Sequence, residues 1–408
     1  MASPTLAATS PPPNVGLPPG LPPALAAIRE TIARVPLENI SGLARGALGD
    51  PSIIPLWFGE SDLRPPPFLA QALTQAIDEG HVFYTEQNGI APLREALAAY
   101  LVGLGAREVG ADRITVTAGG MNALVLAMML VAGAGDNVIV IDPVWPNLGG
   151  IARLLGAQVR SVSMDLTAEG WRLDPAKAAA AMDASTRAIF FASPGNPTGA
   201  VLPMETQAAL LELCRARGAW LIADEVYHRV IFDAARSPTI CDIAAPEDRL
   251  MVAHSFSKSW AMTGCRLGWL VHPPSLAPTL AMMVQYTTSG VTTFLQHAGA
   301  AVVERGEPSV DVVRAYCKQG MEIVCGALEG FARARLGPRP TAGMYAFFEV
   351  EGMTDSRAAC LDILRRTGVG MAPGFFFGPG NERFLRICVA RSPASLTEAM
   401  SRLATVLG

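Results

Sequence analysis

The sequence has few charged residues and no cluster of basic ones. Only 17% of its 408 residues are charged, the net charge is −4, and the isoelectric point is about 5.8. Proteins that bind nucleic acid or an anionic membrane surface usually carry a basic patch, so neither is an expected partner. Because half of the residues are hydrophobic, the chain can build a sizeable core in one large or two ordinary domains.

Cysteine is also scarce and scattered. The seven cysteines form no Cys-x-x-Cys pair and no cluster with histidine. Such spacing is typical of free thiols in a reducing compartment and predicts no metal site. The sequence contains no apolar run of the roughly 18 residues that span a membrane. Its first residues lack the basic start and apolar core of a signal peptide, so we expect a cytoplasmic protein.

Proline is concentrated at the N-terminus. Residues 1–23 are rich in proline, alanine and serine, and proline removes backbone donors and fixes φ, so this arm is predicted to be disordered. We expect residues 24–61 to pack with a small C-terminal domain. Residues 62–296 are predicted to form a large domain, and residues 297–408 a smaller α+β domain.

Short apolar runs alternate with helical stretches through the middle of the chain. Predicted strands cover residues 114–117, 138–141, 159–162, 188–191, 220–223, 251–253 and 266–271. Near-continuous apolar runs are typical of strands buried on both faces, and helical crossovers join parallel strands. The predicted fold is therefore of the α/β class, with a mostly parallel seven-stranded sheet flanked by helices. Ligands bind such sheets at the carboxyl ends of the strands.

A lysine between hydroxyl residues follows one of these strands. Ser255, Ser257 and Lys258 come directly after the run that ends near residue 253, and Arg266 lies eight positions beyond the lysine. Lysine forms a Schiff base with an aldehyde, and the hydroxyls with the guanidinium can hold a phosphate. Pyridoxal 5′-phosphate (PLP) carries both groups. A solvated loop lysine beside polar turn residues explains the stretch about equally well. The residues at the other strand ends are needed to distinguish these two interpretations.

Two strand ends offer an anion site and an aromatic face. Gly119 and Gly120 follow the strand 114–117 and open a helix, where backbone amides can approach an anion. Trp145 follows the next strand and could cover a planar ring. The alternative interpretation of the paired glycines is a plain tight turn. The alternative interpretation of Trp145 is a tryptophan that fills the core.

Two further strand ends carry polar groups. Asn196 lies in a turn after the strand 188–191 and could donate to a phenolic oxygen. Asp224 ends the strand 220–223, where a carboxylate needs a partner. It could pair with a protonated ring nitrogen, while Tyr227 reaches the neighbouring ring oxygen. An ordinary salt bridge at Asp224 is the alternative. Together, the five strand ends supply the groups that PLP requires.

The ordered set of motifs strongly resembles the class I/II aminotransferases, which are fold-type I PLP enzymes, and in particular the aspartate aminotransferase type. The resemblance extends from about Leu56 to Ala390. Its pieces occur in family order: Tyr84, Gly89, Leu93-Arg94, Gly119-Gly120, Trp145, Asn196-Pro197-Thr198-Gly199, Asp224-x-x-Tyr227, Ser255-x-Ser257-Lys258, Arg266 and Arg386.

This resemblance implies a role for each matching position around PLP. Lys258 would carry PLP as a Schiff base and then move protons, Asp224 would keep the ring nitrogen protonated, and Tyr227 would bond the phenolic oxygen. The remaining cofactor contacts would come from Gly119, Gly120, Met121, Trp145, Asn196, Ser255, Ser257 and Arg266, and from Tyr84 of a neighbouring subunit.

The resemblance also implies the reaction. Arg386 would clamp the α-carboxylate of the substrate, Asn196 would lie beside it, and Gly59 would lie over it. The expected activity is transfer of an amino group from an amino acid to a 2-oxo acid by a ping-pong mechanism, in a homodimer with shared active sites. A PLP-dependent Cβ lyase on the same fold is the alternative, since both enzymes would use the same cofactor residues.

The substrate side chain is predicted from two positions. Some aspartate-specific relatives have a lysine after the paired glycines, where this chain has Met121, and others have an arginine near the position of Gln285. A distal carboxylate without a cation is costly in a closed pocket. With Tyr286 or the run 375–377 nearby, the lining would be apolar, which favours neutral aliphatic or aromatic donors.

Overall fold

The computed structural model describes residues 40–47, 49–107 and 109–408, together with Ile32 and Val35. The predicted arm of residues 1–23 lies outside these residues, as does most of the stretch from 24 to 39. Within the described part of the chain, no helix is both long and apolar enough to cross a membrane.

The strands are numbered in chain order. They are β1 (Ile54–Pro55), β2 (Ile114–Thr117), β3 (Asn137–Asp142), β4 (Gln158–Ser163), β5 (Asp165–Thr167), β6 (Gly170–Arg172), β7 (Thr186–Ala192), β8 (Trp220–Asp224), β9 (Leu250–Ser255), β10 (Gly268–Val271), β11 (Ala334–Arg335), β12 (Tyr345–Val350), β13 (Val369–Gly370), β14 (Ala372–Pro373) and β15 (Phe384–Cys388).

The α-helices between them are numbered in the same way. They are α1 (Ile40–Ala44), α2 (Leu69–Asp78), α3 (Ala91–Gly103), α4 (Gly120–Val131), α5 (Asn147–Leu154), α6 (Pro175–Ala181), α7 (Met204–Arg217), α8 (Phe256–Ser259), α9 (Ala277–Thr287), α10 (Thr293–Arg305), α11 (Glu307–Glu329), α12 (Ser356–Thr367) and α13 (Pro393–Leu407).

Seven strands form the main sheet in the order β2-β10-β9-β8-β7-β3-β4. All the neighbouring pairs are parallel except the two made by β10, which is antiparallel to β2 and to β9. The predicted α/β fold with a mostly parallel seven-stranded sheet is confirmed. One boundary was wrong: β10 begins at Gly268 rather than Arg266, because Arg266 has a φ of +53° and cannot continue a strand.

The sheet is buried on both faces. In β3, Ile139 and Ile141 belong to one hydrophobic cluster, while Val138 and Val140 belong to another. Successive side chains of a strand point to opposite faces, so each face packs against its own layer of helices. This arrangement explains the near-continuous apolar runs in the sequence.

A smaller unit follows the main sheet. Its antiparallel sheet has the order β11-β12-β15-β14, and α11 packs against α13. The N-terminal strand β1 pairs in parallel with β13, and Leu56 is buried in the core of this unit. The predicted limits of the domains stay a prediction: α10 spans the proposed boundary at 296 and packs against α2 and α3.

Candidate active site

The carboxyl ends of the central strands open onto one cavity of about 260 Å³. Parallel strands end at the same edge of a sheet, so residues far apart in the chain meet there. The sequence-predicted residues that line this cavity are Gly59, Gly120, Met121, Trp145, Asn196, Asp224, Tyr227, Ser255, Ser257, Lys258 and Arg266. Gly119 lies beside Arg266 of its wall and Arg386 is bonded to Asn196 of its wall, whereas Tyr84 lies elsewhere.

Lys258 reaches across the cavity from the short helix α8. Its Nζ amine donates a hydrogen bond to the backbone carbonyl of Gly59 and lies 5.7 Å from the centre of the Tyr227 ring. Burial lowers the pKa of Lys258 to about 8, because desolvation disfavours the charged ammonium. A sizeable fraction of the amine is therefore neutral near physiological pH, as a nucleophile requires.

Asp224 is the last residue of β8 and faces the same cavity. Its Oδ1 accepts a hydrogen bond from the backbone amide of Val226 at 3.2 Å. Burial is the largest effect on this carboxyl and raises its pKa to about 6, against the opposing effects of that hydrogen bond and the charge of Lys258. A buried carboxylate is stabilised by an opposite charge, so the position suits the protonated nitrogen of a pyridine ring.

Hydroxyl groups and a guanidinium also line the cavity. The Oγ of Ser255 caps α8 by accepting from the Ser257 amide at 3.1 Å and donates to the Ser257 Oγ at 2.9 Å. Arg266 is held by the carbonyl of Thr263 at 2.7 Å, and its Nη1 lies 3.4 Å from the Ser257 Oγ. This set of donors suits the phosphate of PLP.

The paired glycines let the chain turn close to Arg266. Gly119 has a φ of +86° and precedes α4, and a Cβ there would lie 2.6 Å from the Nη2 of Arg266. A side chain at Gly119 would therefore displace the guanidinium. The amides at the start of a helix also attract anions, so α4 and Arg266 converge on one phosphate-sized position.

Gly268 has a related role that the sequence analysis missed. A Cβ at Gly268 would lie 2.7 Å from the Gly119 carbonyl carbon and from the Gly120 nitrogen. Only glycine allows β10 to pass between the ends of β2 and β9 at this point. In the sequence, Gly268 stands two residues after Arg266. Its role can be recognised only when β10 is known to run antiparallel to its neighbours.

Arg386 is a fully buried arginine on β15. Its Nη1 donates to the Asn196 Oδ1 at 3.0 Å, its Nη2 donates to the carbonyl of Trp57, and its Nε has no hydrogen-bond partner. The guanidinium carbon lies 4.4 Å from the centre of the Tyr345 ring. Among the described residues it forms no ion pair, so a carboxylate ligand would satisfy it.

Tyr345 lines the cavity and was not among the predicted site residues. Its hydroxyl lies 2.6 Å from the hydroxyl of Tyr227. In the sequence it is the first residue of an apolar strand, which is typical of a core position. Other lining residues that the sequence analysis did not single out as site residues are Phe58, Leu124, Asn147, Ala192 and Val226.

Tyr84 does not reach the cavity of its own chain. It is 92% exposed and lines a separate groove with residues 82–85 and 288–294. Gln285 and Tyr286 are exposed near this groove, and Gln285 accepts a hydrogen bond from Gln87 at 2.8 Å. The expectation that Gln285 and Tyr286 are near the substrate therefore does not hold within one chain.

The chain belongs to the class I and II aminotransferase family, whose model matches residues 51–403. Members of this family use PLP, and the chain is accordingly a PLP-dependent aminotransferase. The family resemblance inferred from the ordered motifs is confirmed.

Three relatives show the range of the similarity. The chain is 31% identical to an arginine–pyruvate transaminase of Pseudomonas aeruginosa, over 89% of this chain and 91% of the relative. It superimposes on a single mutant of the Thermus thermophilus aspartate aminotransferase with a TM-score of 0.86 and 26% identity, over 93% and 99% of the two chains. It is also similar to YbdL of Escherichia coli, reported with a methionine aminotransferase function, with a TM-score of 0.81 and 26% identity, over 90% and 96%.

Proposed function

We propose that this aminotransferase binds PLP covalently at Lys258 and moves the amino group of a neutral L-amino acid to a 2-oxo acid by a ping-pong mechanism. One observation carries the proposal. The amine of Lys258 and the carboxylate of Asp224 line one cavity, and Asn196 in its wall bonds a buried Arg386 that has no acidic partner among the described residues. An amine, an acid and a carboxylate receptor are the groups that transamination requires.

PLP, when bound, would withdraw electrons from the substrate and make the proton on its α-carbon acidic. Lys258 would be the base that takes this proton from the α-carbon and delivers it to the former aldehyde carbon of PLP, since its pKa of about 8 matches physiological pH. The Gly59 carbonyl orients the amine. Asp224 would stabilise the positive charge on the pyridine nitrogen, because a nearby carboxylate favours the charged form.

The other cofactor roles follow from the donors in the wall. Ser255, Ser257 and Arg266 would hold the phosphate together with the amides of Gly119, Gly120 and Met121. Asn196 accepts from Arg386 through its oxygen, which leaves its amide nitrogen free to donate to the phenolic oxygen beside Tyr227. Trp145 would cover the ring.

The wall of the cavity also contains apolar side chains. It includes Phe58, Met121 and Leu124. The cations in the described part of the wall are Lys258 and Arg266, and both have cofactor roles. A distal carboxylate would have no cation beside it and would be costly to bury, so neutral aliphatic or aromatic donors are favoured over aspartate.

An exposed aromatic surface supports a homodimer. Phe83, Tyr84 and Tyr286 are 78%, 92% and 81% exposed, and contiguous exposed apolar residues mark interaction sites. A second copy of the chain would cover this surface and bring its Tyr84 to the neighbouring cavity, so that the two subunits share their active sites. The seven free thiols favour the cytoplasm as the location.

Two measurements test this proposal. Borohydride reduction followed by peptide mapping should place the PLP label on Lys258, and label on another lysine would refute the assignment. Initial rates should require a 2-oxo acid and give parallel double-reciprocal plots. A Cβ lyase, which the similarity to aminotransferases does not favour, would instead release product without any 2-oxo acid.

A further inference from the structure

Tyr345 is a buried side chain that contacts three parts of the proposed catalytic machinery. It is the first residue of β12 in the smaller unit, is 1% exposed, and lines the cavity formed at the edge of the main sheet. Neither the family motifs nor the sequence pattern assigns it a role. Its contacts are with Tyr227, Arg386 and Gly59.

The first contact is the hydrogen bond to Tyr227. The two hydroxyl oxygens are 2.6 Å apart, and the rings meet edge to face with their centres 5.7 Å apart. Burial raises the pKa of both phenols, so each keeps its proton at physiological pH. One hydroxyl donates and the other accepts. When Tyr345 donates, the proton of Tyr227 is left free for an acceptor in the cavity.

The second and third contacts involve the substrate side of the cavity. The Tyr345 ring lies over the guanidinium of Arg386 at 4.4 Å, a distance at which a cation is attracted to an aromatic face. Its hydroxyl also occupies the space beside Gly59, where an added Cβ would lie only 1.7 Å away. Gly59 is the residue whose carbonyl accepts from Lys258.

We infer that Tyr345 is a positioning residue with two separable effects. Its hydroxyl donates to Tyr227 and so makes Tyr227 a better donor to the phenolic oxygen of PLP, because hydrogen bonds in a chain polarise one another. Its ring holds Arg386 in place for the substrate carboxylate. This inference rests on the proposed use of PLP at Lys258.

The variant Tyr345→Phe separates the two effects, since it removes the hydroxyl and keeps the ring. A hydrogen bond contributes about 0.5–1.5 kcal/mol net, so the dissociation constant of PLP from the apoenzyme should rise about two- to tenfold. The KM for the amino donor should stay unchanged. In a Tyr227→Phe background the same substitution should have no further effect on PLP affinity, since the two residues act as a pair.

The variant Tyr345→Leu removes the ring as well and should add a rise in the KM for the amino donor. Tyr316→Phe is a matched control, because its hydroxyl donates to Asp62 at 2.7 Å and does not line the cavity; its PLP affinity and KM should equal those of the wild type.

Two results would overturn the inference. In the first, Tyr345→Phe binds PLP as tightly as the wild type. In the second, its effect is the same size with and without Tyr227. Failure of the wild-type protein to bind PLP would instead overturn the proposed function together with the inference, so the two failures can be told apart.

Discussion

The amine of Lys258 donates a hydrogen bond to the backbone carbonyl of Gly59, a residue 199 positions earlier in the chain. The bond connects the end of the main sheet to the N-terminal segment beside the smaller unit. Burial is the largest effect on this amine and lowers its pKa to about 8, because desolvation disfavours the charged ammonium.

The first prediction concerns the reactivity of Lys258 in the apoenzyme. Only the neutral amine is nucleophilic, so its reductive methylation should reach half of its maximal rate near pH 8, the pKa that burial gives it. Mass spectrometry of the modified peptides measures this rate. Lys318 is the internal control, since its ion pair with Asp233 raises its pKa, and its rate should still be rising well above pH 9. Equal pH profiles for the two lysines would contradict the assigned environment.

A second prediction concerns the stability of the apoenzyme and Asp224. The folded state raises the pKa of this carboxyl to about 6, above the unfolded value of about 3.9. Its ionisation therefore destabilises the fold as the pH rises from about 4 through 6. Asp224→Asn should raise the free energy of unfolding at pH 8 by roughly 1–3 kcal/mol and leave it nearly unchanged at pH 4.

Thermal unfolding of the two proteins at both pH values measures this effect. Asp183→Asn is a control of opposite sign, because hydrogen bonds from Asn137 and Arg160 lower the pKa of Asp183 to about 2, so this variant should lose stability at pH 8. In the loaded enzyme, Asp224→Asn should lower kcat by roughly a hundredfold or more. If the variant kept full activity, the proposed catalytic role of Asp224 would be refuted.

Arg386 should not tolerate replacement by lysine. Its guanidinium donates to Asn196 and Trp57 at once, and a lysine amine cannot bind a carboxylate in a bidentate way from the same position. Arg386→Lys should lower kcat/KM about tenfold to a thousandfold, mainly through KM for the amino donor. Arg383→Lys, at an exposed arginine paired with Glu349, is the control and should retain full activity. Equal kcat/KM for the two variants would rule out the carboxylate site.

Shared active sites can be tested with hybrid dimers. Neither the Lys258→Ala protein nor the Tyr84→Ala protein contains a complete site. A hybrid of the two has one site with both native residues, provided that Tyr84 acts across the interface. Differently tagged subunits, purified as the hybrid, should therefore regain about half of the wild-type rate. No recovery in a folded hybrid dimer would show that Tyr84 does not act in the neighbouring site.

Much of the lining of the cavity could be predicted because its residues follow buried strands. Asp224 and Ser255 end apolar runs. A polar residue at the end of a buried strand is costly unless it has a polar partner, so such a residue can be recognised from the sequence as a candidate for a site. Parallel topology then brings these ends together, so the position of each residue in the site follows from the fold.

The parts that sequence reasoning missed depend on pairs distant in the chain. Tyr345 is 118 residues from Tyr227, and a tyrosine at the start of an apolar strand is typical of the core. Gly268 required the antiparallel course of β10.

Substrate choice provides the last prediction. The wild-type enzyme should show a higher kcat/KM for leucine, methionine or phenylalanine than for aspartate, because the uncharged residues Met121, Phe58 and Leu124 line the cavity and cannot pair with a distal carboxylate. Met121→Lys would place a cation there. Pairing a buried carboxylate with this cation should strengthen its binding more than about tenfold. The ratio of kcat/KM for aspartate to that for methionine should rise at least about tenfold.

Met129→Lys is the matched control. It makes the same change in the same helix α4, at a methionine that is 42% exposed, and it should leave the ratio unchanged. A wild-type preference for aspartate over all the neutral donors would show that a cation outside the described wall, for example one from the partner subunit, completes the pocket. In that case Met121→Lys should add little to aspartate turnover, and the apolar wall would not set the specificity.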